Sequence, residues 1–173
     1  MMRCLILSVL LAASASAQTP PLEFKGVPFN STIAELLKAH PKFRCLKSQC
    51  LQFRDGATFA DEPVVMIDAY FVAGLLADLR ISYSPESFGI IAQVLASKYG
   101  PPTDTKVSEF KTQGGLTAQQ DVRVWLFANG DTIVLKKYAG SIDSASLVMG
   151  TLDGIADRED AARKRVEKAK KDI

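Results

Sequence analysis

The sequence predicts an α+β fold: helices packed on an antiparallel β-sheet, arranged as two helix-plus-meander repeats, with a charged C-terminal helix. Three observations predict it. The apolar stripes and runs follow one another as helix, strand, hairpin, then helix, strand, hairpin, strand, so strands succeed strands and no βαβ alternation occurs. Ala73-Gly74 and Asn129-Gly130 each separate two apolar runs, as hairpin turns do. From Ile155 onward the composition shifts to charge and alanine.

The chain begins MMRCLILSVLLAASASAQTP. Arg3 and the amino terminus give a positive region, Leu5 to Leu11 an apolar one, and Ala15-Ser16-Ala17 an A-x-A ending. That layout is a cleavable secretory signal over residues 1–17, cut after Ala17. The apolar stretch falls short of the roughly 20 residues that span a bilayer. Cys4 precedes the apolar stretch, so it cannot become a lipid-anchoring first residue after cleavage. The expected product is exported to the periplasm or the extracellular space and does not span a membrane.

Residues 18–29 hold three prolines and a glycine and read as an extended lead-in to a single domain over 30–153. Thr32 and Glu35 have capping-box spacing. Ile33, Leu36, Leu37 and His40 then share one helical face until Pro41 stops the helix. Leu51 to Arg54 read as a short strand. Val64–Val72 and Leu75–Tyr83 form a hairpin of β-branched, aromatic and apolar residues. Ser84-Pro85-Glu86 opens a helix whose stripe is Phe88, Ile91, Ala92, Leu95 and Tyr99; Gly100 ends it and Pro101-Pro102 forbid its continuation. Lys106–Lys111 alternate as a strand, Gln113–Gln120 read as a polar loop, and Asp121–Ala128 with Asp131–Tyr138 flank Asn129-Gly130. Ser144–Thr151 supply a further strand. Residues 154–173 form a charged helix with acid-before-base pairs at i, i+4, such as Asp160 and Lys164.

The helix ending in Tyr99-Gly100-Pro101-Pro102, the Trp125…Asn129-Gly130 hairpin and the earlier helix before Cys45 resemble the small exported domains of the BamE (SmpA/OmlA) type and the two-repeat β-lactamase inhibitor protein. The resemblance covers residues 26–150. It implies a helix layer on an antiparallel sheet and a role in binding other proteins. The chain departs from BamE in lacking the lipid-anchoring cysteine, and no functional residue is carried over.

Chemistry is sparse. HPKFRCLKSQC, residues 40–50, holds the single histidine and both cysteines outside the leader. Two cysteines in an oxidising compartment read as a Cys45–Cys50 disulfide. Zinc bound by His40, Cys45, Cys50 and Asp55 is the weaker alternative, because the spacing matches no usual zinc motif. C-x-x-C, G-x-S-x-G, H-E-x-x-H and a phosphate-cradling glycine loop are all absent. Adjacent acids such as Asp61-Glu62 could serve a small secreted hydrolase, but loops commonly carry such pairs in solvent. No cofactor or metal is expected. The 21 basic and 19 acidic residues become nearly balanced once Arg3 leaves with the leader, which gives no electrostatic case for nucleic acid.

The remaining motive is apolar surface. The Val64–Tyr83 hairpin is apolar on both faces, whereas a sheet with one helix layer needs only one. Ile67 and Phe71 mark the candidate partner surface. The expected function is a protein-binding or envelope-scaffold module, with another protein or a second copy as partner.

Overall fold

The computed structural model describes residues 20–54, 56–112 and 114–171. The predicted leader over residues 1–17 and its predicted cleavage site after Ala17 lie outside the described residues.

Among the described residues, eleven strands and three α-helices follow one another. A two-residue ladder, β1 (Glu23–Phe24) with β2 (Val27–Pro28), occupies the lead-in. Helix α1 (Ile33–Ala39) follows, and both halves of the expected capping box form: Thr32 Oγ1 accepts from Glu35 N–H, and the Glu35 carboxylate accepts from Thr32 N–H. His40 closes the helix through its N–H to the Leu36 carbonyl. Then come β3 (Arg44–Leu46), β4 (Gln49–Phe53), β5 (Thr58–Phe59), β6 (Glu62–Val72) and β7 (Leu75–Tyr83). A 3-10 turn at Pro85–Ser87 leads into α2 (Phe88–Tyr99), which ends at Gly100 with φ 84°. Strands β8 (Asp104–Lys111), β9 (Thr117–Leu126), β10 (Thr132–Lys136) and β11 (Ala145–Gly150) precede α3 (Leu152–Lys171).

One nine-stranded antiparallel sheet dominates, in the order β3-β4-β6-β7-β11-β10-β9-β8, with β5 added beside β6. This corrects the predicted fold class. The protein is mostly antiparallel sheet rather than a balanced α+β arrangement, and its helices do not pack as repeats. The physical reason lies in the segments the sequence assigned to loops. Gln113–Gln120 reads as polar, yet its second half, Thr117–Gln120, begins β9 and pairs with Ser108–Lys111 of β8. Polar residues are compatible with an edge hairpin in water, so polarity alone did not mark a loop.

Two irregularities set which side chains face inward. Between Val64 and Met66 the ladder slips, so Val64 joins Ile67, Ala69 and Phe71 on the covered face while Val65 stays exposed. A second slip at Tyr70/Phe71 leaves Ala77 as the extra residue on β7. The core lies between this face and the lead-in, α1 and α2. Leu22, Phe24 and Val27 of the lead-in, Leu36 of α1, Ile91 and Leu95 of α2, and Leu79, Ile81, Leu147 and Ile133 of the sheet are all buried in one cluster. Trp125 is buried with them, and its indole N–H donates to the Gly100 carbonyl at 2.9 Å.

Helix α3 docks against the opposite face at the Ala77 irregularity. Thr151 N–H donates to the Ala77 carbonyl, and Thr151 Oγ1 caps the helix by accepting from Gly154 N–H. Two glycines make this approach feasible. A Cβ on Gly150 would sit 2.7 Å from the Ala77 carbonyl oxygen, and one on Gly154 2.5 Å from it.

Candidate open sheet face

Cys45 and Cys50 face each other across β3 and β4 and are joined as a disulfide. The sulfurs are therefore unavailable as zinc ligands or as a nucleophile, and Asp55 lies outside the described residues. His40 sits beside the rings of Phe24 and Phe43. Burial pushes its imidazole below the ordinary value, helped by the charge of Lys25. Glu62, one of the adjacent acids, accepts a hydrogen bond from the Ser87 hydroxyl at 2.6 Å.

Ile67 and Phe71 are placed in the core, only 1% and 3% exposed. The sheet surface facing water is the other one, and the register lays it out in rows. In one row Val124, Val134, Val148, Arg80 and Asp68 stand directly opposite one another from β9 to β6. The next row reads Lys106, Val122, Lys136, Ser146, Ser82 and Met66. Val122, Val124, Val134 and Val148 all remain partly exposed, and Lys136 is exposed. A cleft of about 460 Å³ opens over this region, with Met66, Arg80, Ser82, Lys136, Ser146 and Val148 among its lining.

At the β6–β7 end of the same face α3 provides cover. Arg158 donates from one nitrogen to Asp78 Oδ2 at 2.9 Å and from the other to Asp68 Oδ2. Its guanidinium also lies 5.5 Å from the centre of the Tyr70 ring. Gln49 donates to the second Asp68 oxygen at 2.9 Å, and Arg80 Nε to Asp78 at 3.2 Å. Asp78 is fully buried, and among the described residues its Oδ1 has no hydrogen-bond partner. Burial holds its carboxyl above the ordinary carboxylate value, although Arg158 and Arg80 pull the other way. Beyond Arg158, α3 carries surface pairs such as Asp160 with Lys164 at 2.6 Å.

Sequence reasoning missed this cluster and the valine row. Asp68 and Asp78 interrupt apolar strand runs, and an acid inside a buried strand requires a cation from elsewhere. That signal identifies both acids but not Arg158, which lies 90 residues from Asp68. No helix among the described residues is long and apolar enough to cross a membrane.

Comparison with protein-family models, with curated proteins and with solved structures found no match.

Proposed function

We propose that the chain is an exported binding module whose uncovered sheet face docks another protein. The observation that carries this reading is the row Val124–Val134–Val148. It lies on the face away from α1 and α2, stays partly exposed, and has Arg80 and Lys136 at its border. α3 covers the β6–β7 end of the face and leaves this row bare. The leader-like residues 1–17 and the Cys45–Cys50 disulfide support export, because disulfides persist in oxidising compartments. The resemblance to exported protein-binding domains points the same way. Asp68 and Asp78, the acids on this face that a hydrolase would need, are both held by Arg158.

A photo-crosslinking residue at Val134, with one at the exposed Ile90 of α2 as control, tests the proposal in cells that export the protein. The expected result is a discrete adduct from Val134 and none from Ile90. An adduct of twice the chain mass would identify a second copy as the partner. No adduct from Val134, or equal adducts from both sites, would defeat the docking reading. Amino-terminal sequencing of the exported product should begin at Gln18; retention of residues 1–17 would defeat the export reading.

A further inference from the structure

We propose that the cleft on the open face receives a carboxylate of an acidic polypeptide segment, held by Arg80 and Lys136 with the hydroxyls of Ser82 and Ser146. This inference rests on the docking reading and names the chemistry of its partner. Lys136, Ser146 and Ser82 stand directly opposite one another on β10, β11 and β7, and Arg80 lies one step along β7 on the same face. Two strand spacings across the sheet and a two-residue offset along it put Lys136 and Arg80 about 12 Å apart, within the combined reach of two long side chains. Nε of Arg80 is fixed by Asp78, so the two terminal nitrogens keep their fork geometry for a second carboxylate. Among the described residues, neither those nitrogens nor Lys136 Nζ has an ion-pair partner in the cleft, and the Ser82 and Ser146 hydroxyls have no hydrogen-bond partner.

The carboxylates nearby are already ion-paired. Asp68 is held by Arg158 and Gln49, and Asp78, which does not line the cleft, is held through Oδ2 by Arg158 and Arg80. On the far wall, the Gln120 side chain is bonded both ways to the Tyr138 backbone. The cleft therefore presents donors and a positive charge without a free carboxylate to neutralise it.

The valine row selects a polypeptide over a simple anion. Lys136 and Val134 are two residues apart on β10, about 6.6 Å along the strand, as are Ser146 and Val148 on β11. An extended segment lying along the strands with an acid at one position and an apolar residue two further on meets both rows at once. A phosphate group would use the cations and leave the valines in water.

The test is an amide chemical-shift titration of the full disulfide-bonded chain. Three probes are used: a terminally blocked peptide of alternating glutamate and valine, its glutamine–valine counterpart, and inorganic phosphate. The glutamate peptide should shift the amides of Arg80, Ser82, Lys136, Ser146 and Val148 and bind about tenfold more tightly than the glutamine peptide. Lys136→Gln, an exposed change that leaves the fold intact, should weaken it about three- to fivefold, and adding Arg80→Gln should bring the loss to about tenfold. Equal binding of the two peptides, shifts mapping elsewhere, no shifts, or displacement of the peptide by equimolar phosphate would each overturn the inference. If Val134 still crosslinks to a partner in the cell after Lys136→Gln and Arg80→Gln, the docking reading stands and the carboxylate inference falls. If the peptide binds in the cleft while Val134 yields no adduct, the docking reading falls.

Discussion

Replacing Arg158 by alanine removes a cation that touches both Asp68 and Asp78. The three side chains are 13%, 9% and 0% exposed, so the carboxylates cannot turn to water without moving α3 or β6–β7. Breaking a buried pair by deleting one partner costs about 3–5 kcal/mol. The lower end applies here, because Gln49 still serves Asp68 and Arg80 still serves Asp78. A loss of about 3 kcal/mol corresponds to a fall in Tm of about 10 °C for a chain of this size. Urea denaturation followed by far-ultraviolet circular dichroism at neutral pH measures it. Amide exchange along α3 separates local undocking of the helix from global destabilisation. A triple change, Asp68→Asn, Asp78→Asn and Arg158→Met, removes all three charges together and should recover most of the loss. The reasoning is refuted if Arg158→Ala stays within about 1 kcal/mol of the parent with α3 amides still protected.

Three further outcomes follow from the same geometry. Because burial raises the Asp78 pKa, the folded protein binds that proton more tightly than the unfolded chain does. The parent should therefore lose stability as pH climbs from the ordinary carboxylate value of 3.8 through the raised one, and Asp78→Asn should flatten that slope in urea midpoints; an unchanged slope would show Asp78 ionising as an ordinary acid. Gly154→Ala should lose about 1–3 kcal/mol by driving a Cβ into Ala77, although alanine would otherwise favour the helix by about 1 kcal/mol; a gain in Tm would contradict the close docking. Reducing the Cys45–Cys50 disulfide, which closes a loop with a sequence separation of 5, should lower stability by about 2 kcal/mol in the same assay, and an unmoved midpoint would mean the β3–β4 hairpin forms equally well without it.

Elements marked by local chemistry were readable in the sequence. The Thr32–Glu35 capping box, the Gly100 stop after α2, the turns at Ala73-Gly74 and Asn129-Gly130, and the cysteine pairing all depend on residues a few positions apart. What depended on register was not. The apolar alternation in β6 gave two faces but could not show the slip at Val65 that moves Val64 to the covered side. It also could not show that Ile67 and Phe71 would be covered by residues from the lead-in, α1 and α2. A two-residue period labels faces without saying which one is inside. The open face escaped for a related reason. Val124, Val134 and Val148 come from three strands, and only the β9–β10–β11 pairing makes them a row.

The two ends of the sheet are unequal. β3 is a three-residue strand bolted to its neighbour by the disulfide, whereas β8 presents eight residues, nearly all exposed, with Lys106 and Lys111 among them. A polymer of sheets needs two complementary ends, as a chain of hooks needs an eye on every link. This molecule has one long edge and one stub. Backbone pairing between copies through β8 therefore terminates at two chains with a stub at either end, and the lysines disfavour even that. Unequal ends of this kind disfavour end-to-end stacking of native sheets.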